Sequence, residues 1–87
     1  MEFEWDDAKS AANLIKHGMD FTLASRVFDD PSVLETDDPF PFEERFNATG
    51  YVDGRLIHVT YTMRGDVCRI ISARRADGYE RRKYHEV

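Results

Sequence analysis

A period-two alternation of apolar and polar residues runs through the second half of the chain and restricts the folds it can adopt. The alternation covers residues 45–51, 56–64 and 67–74, with Asp53-Gly54 and Gly65-Asp66 between the segments. Asp-Gly pairs favour the tight turns of β-hairpins, and alternation places every second side chain on the same face of a strand. The sequence therefore predicts three consecutive antiparallel strands with one buried face.

The faces of these strands matter for any site built on them. In the middle strand, one face would carry Ile57, Val59, Tyr61 and Met63, and the other would carry His58, Thr60, Thr62 and Arg64. His58 could line a pocket there, but an exposed strand histidine is the favoured interpretation. In the last strand, Arg69 and Arg74 are five positions apart. A regular strand would point them to opposite faces unless a bend or bulge intervenes.

Helical spacing predicts three helices around the strands. Asp6 or Asp7 would cap a helix over residues 8–17 that ends at Gly18, and Asp20 would cap a second, short helix. The second helix would carry Phe21, Ala24, Val27 and Phe28 at helical spacing. A third helix is expected over residues 77–86.

The stretch between the helices and the strands, residues 29–44, contains all three prolines and is predicted to be a loop. Residues 33–36 could add a short edge strand within it. The predicted architecture is a single α+β domain over residues 1–87: two N-terminal helices, an antiparallel β-meander of three to four strands, and a C-terminal helix.

The first helix has two contrasting stripes. Ala8, Ala12 and Ile15 form an apolar stripe, with Trp5 leading into it, which favours their burial. Lys9, Asn13, Lys16 and His17 form the opposite stripe. This polar stripe would be either the solvated side of an amphipathic helix or a second surface that contacts phosphates.

Composition excludes several classes of protein. No apolar run reaches the roughly 18–20 residues needed to span a bilayer, and the acidic start is unlike a secretory signal, so a cytoplasmic protein is expected. Cys68 is the only cysteine, so an internal disulfide is excluded, and a small core residue is the favoured interpretation. No zinc-ligand spacing is present, and neither a metal nor a cofactor is expected.

Charge is distributed unevenly along the chain. Residues 64–87 contain seven basic and four acidic residues, whereas residues 1–63 contain five basic and thirteen acidic residues. Arginines on one strand and the following helix, interleaved with tyrosines, favour a local anion-binding site, with nucleic acid as the leading ligand. The net charge of −5 argues against binding over the whole surface.

Several short motifs, in this order and spacing, resemble the BrnT family of bacterial type II toxins. They are Phe3-Glu4-Trp5-Asp6, Lys9, Asn13, Lys16-His17-Gly18, Phe21, Ala24, Phe28, Ile70-Ile71-Ser72-Ala73-Arg74, and Glu80-Arg81 followed by Tyr84. The resemblance spans essentially the whole chain. It implies a RelE-like fold and a ribonuclease that blocks translation. It also implies a hetero-oligomer with a BrnA-type antitoxin, a ribbon-helix-helix protein through which the complex would bind operator DNA.

Metal-independent RNA cleavage needs a base for the ribose 2′-hydroxyl, cations for the phosphorane and an acid for the leaving 5′-oxygen. Arginine suits the second role because its fork binds two phosphate oxygens. The expected catalytic residues are Arg74, Arg81 and Arg64 for the phosphate, with His17 or Glu80 handling protons. For Glu80, the favoured role is to pair with nearby arginines and hold them in place, and not to act as the base. Expected RNA contacts are Lys9, Asn13, Lys16, Arg69, Arg75 and Tyr84.

The leading hypothesis is therefore a metal-independent endoribonuclease toxin that inhibits translation. Two alternatives use the same arginines. In one, the domain is a non-catalytic antitoxin-binding module that acts as a co-repressor. In the other, it binds RNA or the ribosome and blocks translation sterically.

Overall fold

The three predicted strands form the centre of a five-stranded mixed sheet in the computed structural model, which describes residues 1–86. The strands are β1 (Glu2–Glu4), β2 (Leu34–Asp38), β3 (Arg45–Val52), β4 (Arg55–Arg64) and β5 (Val67–Arg75). Their order in the sheet is β1-β5-β4-β3-β2. β1 pairs with β5 in parallel, and all other neighbours are antiparallel. The predicted α+β class and the meander are confirmed.

The three predicted helices are present. They are α1 (Asp7–His17), α2 (Phe21–Ser25) and α3 (Gly78–His85), and a 3-10 turn, Arg26–Asp29, follows α2. Asp6 accepts a hydrogen bond from the Lys9 backbone N–H, and Asp20 accepts one from Leu23. Gly18 ends α1 with φ of 74°, the left-handed conformation that glycine adopts at little cost. No helix within residues 1–86 is long and apolar enough to cross a membrane.

Two elements differ from the prediction. β1 was not predicted, because a strand of three residues is too short for alternation to be recognised. The second helix was expected to continue through Phe28, but α2 stops at Ser25 and the chain tightens into the 3-10 turn. The expected edge strand at 33–36 is present as β2, which extends to Asp38.

β5 contains a bulge opposite the middle of β4. Thr60 pairs with Ser72 and Tyr61 pairs with Ile70, so Ile71 is an extra residue without a direct partner. The alternation is shifted by one from this point, which places Arg69 and Arg74 on the same face of the sheet. The bulge thus supplies the irregularity without which the two arginines would face opposite sides.

The hydrophobic core lies between one face of the sheet and the segment from Met19 to Phe28. Buried side chains on that segment are Met19, Phe21, Ala24 and Val27, and those on the sheet include Ala48, Ile57, Val59, Tyr61, Cys68, Ile70 and Ala73. Burial raises the pKa of Cys68 to about 11, which fits its predicted role as a core residue.

The predicted orientation of α1 is wrong. Ile15 is 88% exposed, whereas Ser10 and Asn13 are the buried residues of this helix. Asn13 Nδ2 donates to the carbonyls of Met19 (2.8 Å) and Ala73 (2.9 Å), and Asn13 Oδ1 accepts from the Ala73 N–H (3.3 Å). Ser10 Oγ accepts from the Phe21 N–H at 2.9 Å. Hydrogen bonds to backbone groups, and not apolar burial, therefore decide which side of α1 faces the sheet.

Candidate active site

An open cleft of about 810 Å³ lies on the face of the sheet opposite the core, beside α3. Because side chains alternate along a strand, the residues between the buried Ala48, Ile57 and Val59 point to this face. The sheet contributes Thr36, Asn47, Thr49, His58, Thr60 and Arg74 to the cleft. Tyr79, Glu80 and Lys83 of α3 complete its other wall.

An end-on, bidentate ion pair joins the end of β5 to the start of α3. Arg74 Nη1 and Nη2 donate to Glu80 Oε1 and Oε2, both at 2.8 Å. Glu80 is held in turn by the helix terminus, since its carboxylate accepts from the Asp77 N–H and Asp77 accepts from the Glu80 N–H. This reciprocal capping box fixes the carboxylate, so the guanidinium has a defined position at the cleft.

The electrostatics of this pair favour both charged forms. Burial opposes ionisation of Glu80, but hydrogen bonds from Arg74 and Asp77 outweigh it and lower the pKa of Glu80 below its ordinary value. The hydrogen bonds that Arg74 donates to Glu80 raise the pKa of Arg74. Arg74 uses three N–H groups, two for Glu80 and one for the Arg75 carbonyl. A guanidinium has about five, so about two remain for an anion.

His58 lies against this ion pair. Its Nδ1 is 2.9 Å from Thr49 Oγ1, and its Nε2 is 3.5 Å from Glu80 Oε2. Only 11% of its side chain is exposed, so the favoured interpretation of an exposed strand histidine is wrong. Burial lowers the pKa of His58 below its ordinary value of 6.5, although Glu80 opposes the shift. His58 is therefore a neutral imidazole at neutral pH, poised to accept a proton.

Charge divides the cleft into two sides. Arg74 and Lys83 are on the side of β5 and α3 together with Glu80 and Glu86, whereas the charged lining residues of β2, Asp37 and Asp38, are both acidic. Lys83 is near Glu86 (3.6 Å) and the Tyr79 ring (5.7 Å). An anion would therefore bind on the α3 side and be repelled from the β2 side.

The other expected catalytic residues are not in the cleft. Arg81 is exposed on α3 and does not line it. Arg64 is exposed at the far end of β4, six residues and roughly 20 Å along the strand from His58. His17 ends α1, which packs on the core side of the molecule. The structure brings together only Arg74 and Glu80 of the five.

The expected RNA contacts are scattered. Asn13 is buried, with both ends of its amide bonded to backbone, so it is not available to RNA. Arg69 pairs with Glu4 of β1, and Arg75 is exposed at the end of β5. Lys9 and Lys16 are exposed on α1, away from the cleft.

Tyr84 has a structural role at the edge of the sheet. Its hydroxyl donates to Asp30 at 2.6 Å, and its ring packs edge-on against Tyr51. Asp30 also accepts from the Tyr51 N–H at 2.8 Å. The hydrogen bond to Asp30 raises the pKa of Tyr84 to about 12. Asp30 therefore anchors the end of α3 to β3; we call these contacts the Asp30 clasp.

The sequence carried a signal for the missed residues. Asn47 and Thr49 flank the buried Ala48 on β3, just as His58 and Thr60 flank the buried Val59 on β4. All four side chains therefore point to the face opposite the core. Two neighbouring strands with polar residues at matched positions indicate a polar second face on the sheet. That α3 would fold over this face could not be read from alternation alone.

Residues 1–86 contain no cluster of three or more His, Cys, Asp or Glu side chains arranged to hold a metal ion. Residues 5–80 match the family model described as ribonuclease toxin, BrnT, of type II toxin-antitoxin system. The match includes every sheet residue of the cleft and Glu80, while Lys83 lies beyond it. A search of curated proteins finds no match.

Proposed function

The chain belongs to the BrnT family of ribonuclease toxins of type II toxin–antitoxin systems, and from this premise we propose that it cleaves RNA in the cleft beside α3 without a metal ion. Cleavage would inhibit translation. The observation that carries the proposal is the contact of Arg74, Glu80 and His58, since it joins a phosphate-binding fork to a neutral base.

His58 would start the reaction by taking the proton of the ribose 2′-hydroxyl. With Nδ1–H donated to Thr49 Oγ1, the lone pair of Nε2 is free for that proton. The imidazolium that forms would be stabilised by Glu80, whose carboxylate is 3.5 Å from Nε2. Glu80 thus acts through Arg74 and His58 as a positioning residue.

Arg74 and Lys83 would stabilise the phosphorane formed when the 2′-oxygen attacks phosphorus. Removing one fixed charge-stabilising donor costs other enzymes about 10²–10³ in rate. As the bond from phosphorus to the 5′-oxygen breaks, the Lys83 ammonium would supply the proton that this oxygen needs. The products would be a 2′,3′-cyclic phosphate and a 5′-hydroxyl.

The family also implies an antitoxin. We propose that it is a BrnA-type ribbon-helix-helix protein that neutralises the toxin in a hetero-oligomer. Operator DNA would be bound through the antitoxin. This assignment agrees with the toxin's net charge of −5, which disfavours direct binding to duplex DNA.

The test is cleavage of an end-labelled RNA by antitoxin-free protein, with and without EDTA. Wild-type protein should cleave in both conditions, and Arg74→Ala should lose about 10²-fold or more in rate. Arg82→Ala is the matched control, because Arg82 is an exposed arginine of α3 outside the cleft. Thermal unfolding would verify that each variant is folded.

Three results would contradict the proposal: loss of cleavage in EDTA, equal loss in both arginine variants, or intact RNA during growth arrest. The last would favour steric inhibition of translation. A wild-type protein that binds its antitoxin and never cleaves RNA, in isolation or on ribosomes, would favour the co-repressor.

A further inference from the structure

The β2 side of the cleft carries polar groups that phosphate chemistry does not use. Asp38 follows Leu34 and Thr36 in the alternation of β2 and lines the cleft, and its charge acts on His58. Within residues 1–86, its carboxylate has no hydrogen bond or ion pair. A carboxylate here would repel a phosphate, so the β2 side is not a second phosphate site.

Asn47 lies next to Asp38 across the strand pair. Asp38 pairs with Arg45 and Thr36 pairs with Asn47, so Asp38 and Asn47 are diagonal neighbours about 7–8 Å apart. Asn47 Oδ1 accepts from Thr60 Oγ1 at 2.9 Å. Among the described residues, the two N–H groups of Asn47 have no acceptor. The β2 side therefore offers two carboxylate oxygens and two amide donors.

A ligand for this pair must both donate and accept hydrogen bonds. An arginine side chain has no acceptor for Asn47, and the neighbouring Arg74 and Lys83 would repel it. A nucleobase edge has both kinds of group, and unpaired RNA is read on such edges. Guanine alone among the four bases places two N–H donors, N1–H and the 2-amino group, side by side, and so matches a carboxylate in bidentate geometry.

We propose that Asp38 and Asn47 form a guanine-reading subsite, with Asp38 accepting from N1–H and the 2-amino group and Asn47 donating to an acceptor of the same base. This inference rests on the proposed function, because the phosphate of the bound nucleotide would lie on Arg74 and Lys83. Tyr79 lines the same cleft and is 62% exposed, so its ring is available to stack on the base.

The test is equilibrium binding of RNA that cannot be cleaved. Oligoribonucleotides with 2′-fluoro riboses, identical except for one central guanine, inosine or adenine, would be titrated into isotope-labelled protein. Wild-type protein should bind the guanine oligonucleotide about 10- to 100-fold more tightly than the adenine one. Inosine lacks only the 2-amino group and should lie between them.

Asp38→Asn should abolish the preference for guanine without weakening the binding of the adenine oligonucleotide. Glu44→Gln is the matched control, since it removes the same charge from an exposed residue outside the cleft, and it should keep the preference. Equal affinity for the three oligonucleotides, or a preference that survives in Asp38→Asn, would overturn the subsite. Binding of an arginine peptide at Asp38, with no RNA bound, would overturn it and assign the cleft to a protein partner.

Failure of this inference and failure of the proposed function give different results, because binding is measured without cleavage. RNA cleavage with no base preference in binding overturns only the guanine subsite. A guanine preference without cleavage on natural RNA leaves the subsite supported and removes the nuclease.

Discussion

His58 owes its chemical state to its surroundings. An ordinary histidine is partly protonated near pH 6.5, but burial beside Arg74 and Thr49 lowers the pKa of this one, and Glu80 only partly restores it. The position of His58 on the sheet thus makes its imidazole harder to protonate than that of an ordinary histidine.

Cleavage should depend on pH through His58. If neutral His58 is the base, kcat/KM should rise with pH, reach half its maximum below pH 6.5 and be level at neutral pH. In His58→Gln this acidic limb should disappear, leaving a low rate. If kcat/KM still falls in the same way at acidic pH in the variant, a group other than His58 is responsible for the fall.

The lowered pKa also affects stability, with a definite sign. Below about pH 6.5 the unfolded chain binds a proton at this histidine that the folded chain resists, so the free energy of unfolding should fall as pH falls. Glu80, whose pKa is also lowered, adds a further loss at more acidic pH. Urea unfolding of wild type and His58→Gln at pH 7 and 5.5 would measure the histidine contribution. The loss of stability caused by protonation of His58 should be absent from the variant.

Glu80→Gln tests the ion pair. The Glu80 side chain is only 15% exposed, so this change should cost about 1–3 kcal/mol in the free energy of unfolding. Asp53→Asn is the control, because the side chains of its pair with Arg26 are 55% and 51% exposed. Water screens these charges, so the loss should be smaller than in Glu80→Gln. Equal losses measured by urea unfolding would mean that the buried pair has no special role.

At the scale of elements, α1 is attached to the sheet in a way that hydropathy does not describe. Asn13 binds both backbone groups of Ala73, on a stretch of β5 beyond its pairing with β1. The helix therefore completes the edge of the sheet through a side chain, and its apolar stripe remains in solvent.

Asn13→Ala should destabilise the fold by about 1–3 kcal/mol, because it leaves buried backbone groups without partners. Ile15→Ala should change the free energy of unfolding by less than about 0.5 kcal/mol, since the side chain is 88% exposed. Denaturant unfolding of both variants would compare them. A larger loss of stability in Ile15→Ala than in Asn13→Ala would instead support the orientation in which the apolar stripe is buried.

These elements mark the limits of prediction from sequence. The boundaries of β3, β4 and β5 were predictable because the turn residues Asp53-Gly54 and Gly65-Asp66, and the alternation between them, are local signals. The bulge at Ile71 and the buried face of α1 were not, because each depends on contacts between residues distant in sequence. For the site, Arg74 and Glu80 were predicted from the basic C-terminal segment. His58 was undervalued because alternation reports that a residue is on the second face, but not that α3 covers it.

For the whole molecule, the structure predicts a modest dependence of RNA binding on salt. The cleft offers two cations, Arg74 and Lys83, within a protein of net charge −5. Two phosphate contacts correspond to a slope of about −1.4 in log affinity against log salt concentration for single-stranded RNA. A slope steeper than about −3, measured by titration at several salt concentrations, would show that the exposed arginines outside the cleft also bind the backbone.

The Asp30 clasp has a consequence for how the cleft can operate. α3 has no buried residue of its own, so few apolar contacts keep it in place. Its attachments include the Arg74–Glu80 pair at one end. At the other end they include the Asp30 clasp and the contact between Tyr51 Oη and His85 Nε2 at 3.1 Å. The α3 wall of the cleft is thus held at two ends, and the attachment at one end includes Arg74, the arginine proposed to bind the phosphate. A ligand that takes the N–H groups of Arg74 now bound to Glu80, and not only the ones that remain free, would release α3 at this end. For such a ligand, occupying the cleft and opening it would be coupled.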